Sequence, residues 1–295
     1  MKTPLDLNAE QLHLLGYVIT WDVDKSHSVV AVREALKMAG IDDVQVCADL
    51  KLKHAFKRAL RKLSKASMID EVGVEGSKVT FQLTSKVVDE NNKQLVFNQQ
   101  AVLTLNLETG EVTCPAQPHV VSEAETMLEF AMDQRTGPDI SRYIKRMFEN
   151  HADMFPLNPK KGVTYFVPIQ HNLFLEQIQR FVTALGGCFP CWPVPMGTEK
   201  GNSSVKAAVE NGLEAMAAEL SQALYTWDNS TREDTKKRMW DKVERLELKL
   251  KAYSSYLQDK SSTAYDTMRD LRASVVEKVK ELETQEDETT AELAG

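Results

Sequence analysis

The apolar positions of the first sixty residues change period twice. LGYVITWDV, Leu15 to Val23, is a short apolar run of Tyr, Val, Ile, Thr and Trp, which suit a strand. Val29, Val32, Leu36 and Met38 then recur at helical spacing. Ser26 or Ser28 stands where a helix cap is needed, and Gly40 where the helix must stop. VQVCADL reads as a second short strand. From about Leu50 to Ala66 a third pattern begins: Leu52, Phe56, Leu60 and Leu63 fall at i, i+4, i+8 and i+11, one stripe of a helix.

Alternation follows. KVTFQLTSKVV alternates at Val79, Phe81 and Leu83, and QLVFNQQAVLTLNL from Val102 or Leu103 through Leu107. ENNKQ joins them, with Asn91 and Asn92 able to take left-handed conformations. Leu107 to Val112 is a second tight turn into a strand ending near Cys114, and Pro115 and Pro118 close the region. Residues 78–114 thus predict an antiparallel meander, and 1–120 an α+β domain carrying a helix at 50–66.

Residues 121–200 predict an α+β segment. Ser122 with Glu125 has capping-box spacing and opens a helix through Met127, Leu128 and Ala131. Gly137-Pro138 breaks it, and Asp139 caps a helix carrying Ile140, Tyr143, Ile144, Met147 and Phe148. GVTYFVPI reads as a buried strand. Phe174 to Leu185 is a helix with Leu175, Ile178 and Val182 on one face, stopped by Gly186-Gly187. CFPCWPVPM is extended and proline-rich, so it is an edge strand or irregular.

From 201 to 283 the period settles. Val209, Leu213, Met216, Leu220, Leu224 and Trp227 mark one helix. Met239, Val243, Leu246, Leu250, Tyr253 and Leu257 mark a second, in alternating steps of four and three. Tyr265, Met268, Leu271, Val275, Val279 and Leu282 mark a third. This is a heptad seam, and it predicts a three-helix bundle or coiled coil. Asp228-Asn229-Ser230 and Ser261-Ser262 separate the helices, and Ser230 with Glu233 has capping-box spacing. The acidic tail 284–295 lacks a seam and is expected to fray.

Composition narrows the class. Of 295 residues, 42% are apolar and 27% charged, which excludes wholesale disorder. No apolar run approaches the roughly 18 residues of a spanning helix, so no membrane contact is expected. The opening MKTPLDLNAEQLHLLGYV meets Asp6 and Glu10 before any apolar run and does not read as a signal peptide. Four cysteines without an export signal suggest a reducing cytoplasm.

The net charge of −7 conceals a segregation. Lys51, Lys53, Lys57, Arg58, Arg61, Lys62 and Lys65 lie in one segment with no acid; the rest of the chain balances to −14. On the predicted helix the apolar stripe docks and the cations face out with His54. That geometry suits phosphate backbones or an acidic protein patch, and it equally suits a solvated face paired with the chain's own acids.

Other chemical signals are thinner. Cys188-Phe-Pro-Cys191 has the CxxC spacing of a zinc or redox site, but no second pair supplies the remaining zinc ligands and the prolines oppose a helix. Packing thiols are the plainer reading. His13, His27, His54, His119, His151 and His171 show no paired spacing. Asp22 and Asp24 stand at the end of the first strand, where a turn is the plainer reading; only if the strand continues do they share a face that could bind a cation. Pro159-Lys-Lys-Gly162 lacks phosphate-loop spacing, and no GxSxG or GxGxxG is present. Trp227 and Trp240, and Tyr253, Tyr256 and Tyr265, sit at hairpin ends, where aromatics are core or interface. No catalytic residue and no cofactor emerges.

LGYVITWDV, HAFKRALRKL, the meander, GVTYFVPI with FVTALGG, and the closing heptads together resemble an uncharacterised family of bacteriophage and mobile-element proteins, a domain of unknown function. Ala55-Phe56-x-Arg58-Ala59 and Tyr165-Phe166-Val167-Pro168 carry the resemblance best. It implies phage or prophage origin and a cytoplasmic setting, and supplies no catalytic residue.

The expectation is a non-enzymatic cytoplasmic interaction protein. It self-associates as a homo-oligomer through the seam Met239, Val243, Leu246, Leu250, Tyr253 and Leu257, and binds a host or phage protein or a defence complex. The rivals are a nucleic-acid binder using 51–65 and a thiol or metal enzyme at Cys188 and Cys191.

Overall fold

The computed structural model describes residues 14–42, 47–63, 67–89, 94–158, 163–196, 199–227, 231, 233–253, 270 and 273. In chain order the elements are β1 (Leu14–Ile19), β2 (His27–Ser28), α1 (Val29–Ala39), α2 (Leu52–Leu63), β3 (Ser67–Glu75), β4 (Lys78–Asp89), β5 (Gln94–Asn106) and β6 (Val112–Thr113). Then follow α3 (Pro118–Asp133), β7 (Gln134–Arg135), α4 (Gly137–His151), β8 (Phe155–Pro156), β9 (Tyr165–Pro168), α5 (Asn172–Ala184), β10 (Cys191–Pro195), α6 (Glu199–Tyr225) and α7 (Glu233–Ala252). The class is mixed α+β with antiparallel sheets.

The chain divides into two units, each gathered from separated stretches. One takes 1–20, 151–175 and 189–295; the other takes 21–150 and 176–188.

In the first unit the sheet order is β10-β1-β9-β8, all antiparallel. Tyr165 to Val167 are buried on both faces, as their continuous apolar run requires. Strand β10 lies at the sheet edge, where Pro193 and Pro195 cost no ladder bond. The core joins Leu15, Phe155 and Phe166 to Val209, Leu213, Leu220 and Trp227 of the α6 segment and to Met239, Val243, Leu246 and Leu250 of α7. Each fully buried side chain of this size contributes about 1.5–3 kcal/mol, so the seam of α7 is spent on the unit's own interior. The third heptad helix lies outside the described residues, apart from helical Asp270 and Ala273.

In the second unit β3-β4-β5-β6 forms the meander, and α2 and α3 cover one face. Val79, Phe81 and Leu83 of β4 and Ala101, Leu103 and Leu105 of β5 meet Phe56, Leu60 and Leu128. Ala55, Ala59, Ala124 and Ala131 in the same core keep the helices close. Phe56 stands edge-on to Phe81 with centroids 5.6 Å apart. The α1 ends are as the residues predict: Ser28 Oγ accepts from the Ala31 amide at 3.2 Å, and Gly40 takes φ +73°, which a side chain would oppose.

Four local expectations are corrected. The first strand ends at Ile19 rather than Val23, and Asp22 beyond it makes only an isolated bridge to Cys188. The described part of VQVCADL, Cys47 to Leu50, is a 3-10 turn and irregular chain, not a strand. Ser122 does not open α3. The helix starts four residues earlier, with Pro118 in its first turn, where a missing amide hydrogen costs nothing. Asp139 is the third residue of α4 rather than its cap. It reaches back to the amide and hydroxyl of Thr136, both at 3.0 Å, as the reciprocal half of a capping box.

Candidate functional site

Helix α2 exists because its stripe is apolar. Ala55, Phe56, Ala59 and Leu60 are fully buried, which turns five cations outward or sideways. Their fates differ. Lys53 pairs with Glu71 of β3 at 2.7 Å. Arg58 grips Asp139 with two bonds, Nη2 to Oδ1 at 2.7 Å and Nη1 to Oδ2 at 2.9 Å. Lys62 rests its ammonium 3.7 Å from the centroid of Phe130, whose ring side is 42% exposed. Lys51 and Arg61 are exposed and Lys57 half-buried; none of the three is in an ion pair among the described residues. Lys65 lies outside the described residues.

Arg58 is therefore a structural cation. Burial raises the Asp139 pKa, but the Arg58 bonds, the Thr136 bonds and the Arg58 charge outweigh it, leaving the carboxyl below its usual range. Beside the basic helix lies an acidic one. Helix α3 exposes Glu123, Glu125, Glu129 and Asp133 and carries no Lys or Arg. An open groove of about 490 Å³ is floored by Val29, Leu52, Leu128 and Met132 and rimmed by Asp49, Glu129 and Asp133.

The seam residues are placed inward. Met239, Val243, Leu246, Leu250 and Tyr253 are all buried in the core of the first unit, and Leu257 lies outside the described residues.

The structure also assembles a polar cluster that sequence patterns do not reveal. Asp153 Oδ2 accepts from the Tyr253 hydroxyl at 2.7 Å and meets His171 Nε2 at 3.0 Å; Oδ1 accepts from Lys249 Nζ at 2.8 Å. Gln170 donates to the Tyr253 oxygen at 2.9 Å, and the Tyr253 ring stands edge-on to Phe155 at 5.1 Å. Burial pushes the Asp153 pKa up; the bonds from His171 and Lys249, the Lys249 charge and the Tyr253 bond overwhelm it and hold the carboxyl far below its usual range. An Asp–His–Lys–Tyr set can move protons. Here Tyr253 is 1% exposed and both carboxylate oxygens are occupied, and these bonds tie the end of α7 to Asp153. Its members are scattered from 153 to 253, and only Tyr253 stood out, as a hairpin-end aromatic.

A second buried group is Arg135, fully enclosed. Its Nη1 donates to the Met132 and Gln134 carbonyls at 2.9 and 3.1 Å, closing the end of α3. Burial pushes up the pKa values of nearby Cys47 and Tyr143, and the Arg135 charge partly offsets it.

The four cysteines are free thiols. Cys188 is exposed and exchanges backbone bonds with Asp22, both 2.9 Å. Cys191 lies opposite Ile19 in β10, and burial pushes its thiol up to about 11. A thiol so raised is a poor nucleophile. The charge of Asp24 raises the Asp22 pKa. Among the described residues no group of three or more His, Cys, Asp or Glu is arranged to hold a metal, and no helix is long and apolar enough to cross a membrane.

A family of unknown function, DUF6744, matches residues 14–288, and the chain belongs to that family. No curated protein and no solved structure matches the chain.

Proposed function

We propose that this member of the family is a non-enzymatic interaction protein of the cytoplasm, of phage or mobile-element origin, that self-associates and binds a host protein. The observation that carries the reading is the surface of α2 and α3. Cations on one helix and carboxylates on its neighbour are both exposed, and no ion pair among the described residues joins the two. A surface of mixed sign suits another protein surface. It suits a nucleic acid less well, because the exposed carboxylates of α3 repel the phosphates that the α2 cations would attract. Two of the seven candidate cations are already paired, Lys53 with Glu71 and Arg58 with Asp139.

The Asp153 cluster supports the same reading, since both carboxylate oxygens are engaged in holding the end of α7. In this reading the seam continues past Tyr253 through Leu257 and the third heptad helix, completing a three-helix bundle.

The test is capture from a bacterial lysate on the immobilised full chain, beside a gel shift with duplex and single-stranded DNA at low salt. A stoichiometric protein partner with no DNA shift is expected. Failure to recover any stoichiometric protein would defeat the host-binding reading, and a DNA shift that collapses with salt would replace it with nucleic-acid binding.

A further inference from the structure

We propose that Arg135 and His27 form a buried receptor for a free tetrahedral oxyanion, phosphate or sulfate, at the ladder of β2 and β7 in the second unit.

Arg135 is fully buried, and of its guanidinium nitrogens only Nη1 is engaged, with the Met132 and Gln134 carbonyls. Nε and Nη2 find no hydrogen-bond partner among the described residues. Tyr143 stands beside the guanidinium but completes neither nitrogen. Nε and Nη2 make up one edge of the planar group. Their N–H bonds run parallel, the geometry that receives two oxygens of one anion. The two bonds through Nη1 hold that edge in a set orientation.

His27 brings a third donor. It lies directly opposite Arg135 in the antiparallel ladder, and opposite residues carry their side chains on the same face. Its Nε2 is buried and also finds no partner among the described residues. That nitrogen offers an N–H in one neutral tautomer and in the imidazolium. A guanidinium edge already occupies both oxygens of a carboxylate, so a further donor points to an ion with more oxygens. Helices α1 and α4 begin two residues beyond His27 and Arg135, and their N-terminal ends add positive potential there.

Charge balance calls for the same occupant. Cys47 and Tyr143 feel the Arg135 charge, but burial raises both pKa values and keeps them a neutral thiol and phenol. The two acids that act on these groups are held by other arginines. Asp49 is paired with Arg33 at 2.9 Å, and Asp139 with Arg58 at 2.7 Å and Arg142 at 3.4 Å. Arg135 thus has no carboxylate partner among the described residues. The carbonyls at the end of α3 supply only partial negative charge. A buried cation with unsatisfied N–H groups is costly, and an anion answers both the charge and the donors. Water would satisfy the donors alone. Full enclosure of the guanidinium favours a free ion over the end of a larger molecule.

The test is equilibrium dialysis of the full chain against millimolar radiolabelled phosphate in chloride buffer, long enough for a resident ion to exchange. One phosphate per chain is expected. Sulfate should displace it; acetate, with two oxygens, should do so poorly, and AMP, a phosphate on a larger body, not at all. Arg135→Met should abolish uptake. His27→Phe keeps a flat ring without Nε2 and should weaken binding at least about tenfold, the weight of one hydrogen bond to a charged group. Circular dichroism checks that each variant folds, and His27→Phe decides alone if Arg135→Met does not. A wild type that takes up no phosphate, uptake that survives Arg135→Met, or wild-type affinity in His27→Phe would overturn the receptor. Displacement by acetate or AMP as effective as by sulfate would overturn the free tetrahedral ion.

Discussion

Arg58 and Asp139 are joined by two parallel hydrogen bonds, 2.7 and 2.9 Å long, across 81 residues of sequence. The pair ties the outer side of α2 to the first turn of α4. The carboxylate side chain is 3% exposed and the guanidinium side chain 28%.

Removing this cation leaves the buried carboxylate with only the exposed Arg142, 3.4 Å from Oδ1, as a paired counter-charge among the described residues. Arg58→Gln should destabilise the protein by about 3 kcal/mol, the lower end of the range for breaking such a pair, because Asp139 keeps its two bonds from Thr136 and the long contact with Arg142. Arg58→Lys should recover only part, since an ammonium cannot make the two-pronged contact. The urea midpoint measures this, with an unchanged slope. A loss under about 1 kcal/mol would mean the pair is solvated and dispensable.

The Asp153 clamp gives a pH signature. Its folded pKa lies below its unfolded value of about 4. Its contribution is therefore fully present above that pH and is lost progressively as pH falls toward the folded value. Asp153→Asn should be less stable than wild type at pH 6, with Lys249 left without its counter-charge. By pH 3 the gap should have narrowed. Urea titrations at the two pH values decide, and a gap of constant size would show that folding does not shift the Asp153 pKa.

Gly212 tests the core of the first unit. Glycine inside a long helix costs about 1 kcal/mol against alanine, so Gly212→Ala looks stabilising from the sequence. A Cβ there would stand 2.7 Å from Cδ1 of Phe155, a fully buried ring that also carries Tyr253. Overpacking of this kind costs about 1–3 kcal/mol, so the net change should be a fall in thermal midpoint. A rise would show that the ring yields.

Signals that act within one or two turns were readable. Ser28 and Gly40 bound α1, the stripe Leu52, Phe56, Leu60 draws α2, and the alternation Val79, Phe81, Leu83 draws β4. Where two local signals competed, position in the chain decided: Pro118 claimed the start of α3 from Ser122, and Thr136 claimed the cap of α4 from Asp139. Strand pairing carries no such mark. Nothing in LLGYVI states that it pairs with Tyr165–Pro168 on one side and Cys191–Pro195 on the other. The candidate site divides the same way. The cation arc was plain, but the removal of Arg58 and Lys53 from it depends on Asp139 and Glu71, which other elements bring close. The Asp153 clamp needs five side chains from three separated stretches, and of these only Tyr253 belongs to a sequence pattern.

Strand β1 lies between β9 and β10, and that placement bears on how a ribosome delivers this protein. Ile19 leaves the exit tunnel well before Tyr165 and Cys191 exist. At about 5–20 residues per second the wait is on the order of ten to thirty seconds. For that time LLGYVI is a nascent apolar edge with both flanks vacant, long enough for a chaperone to find it and for crowded sister chains to stick to it.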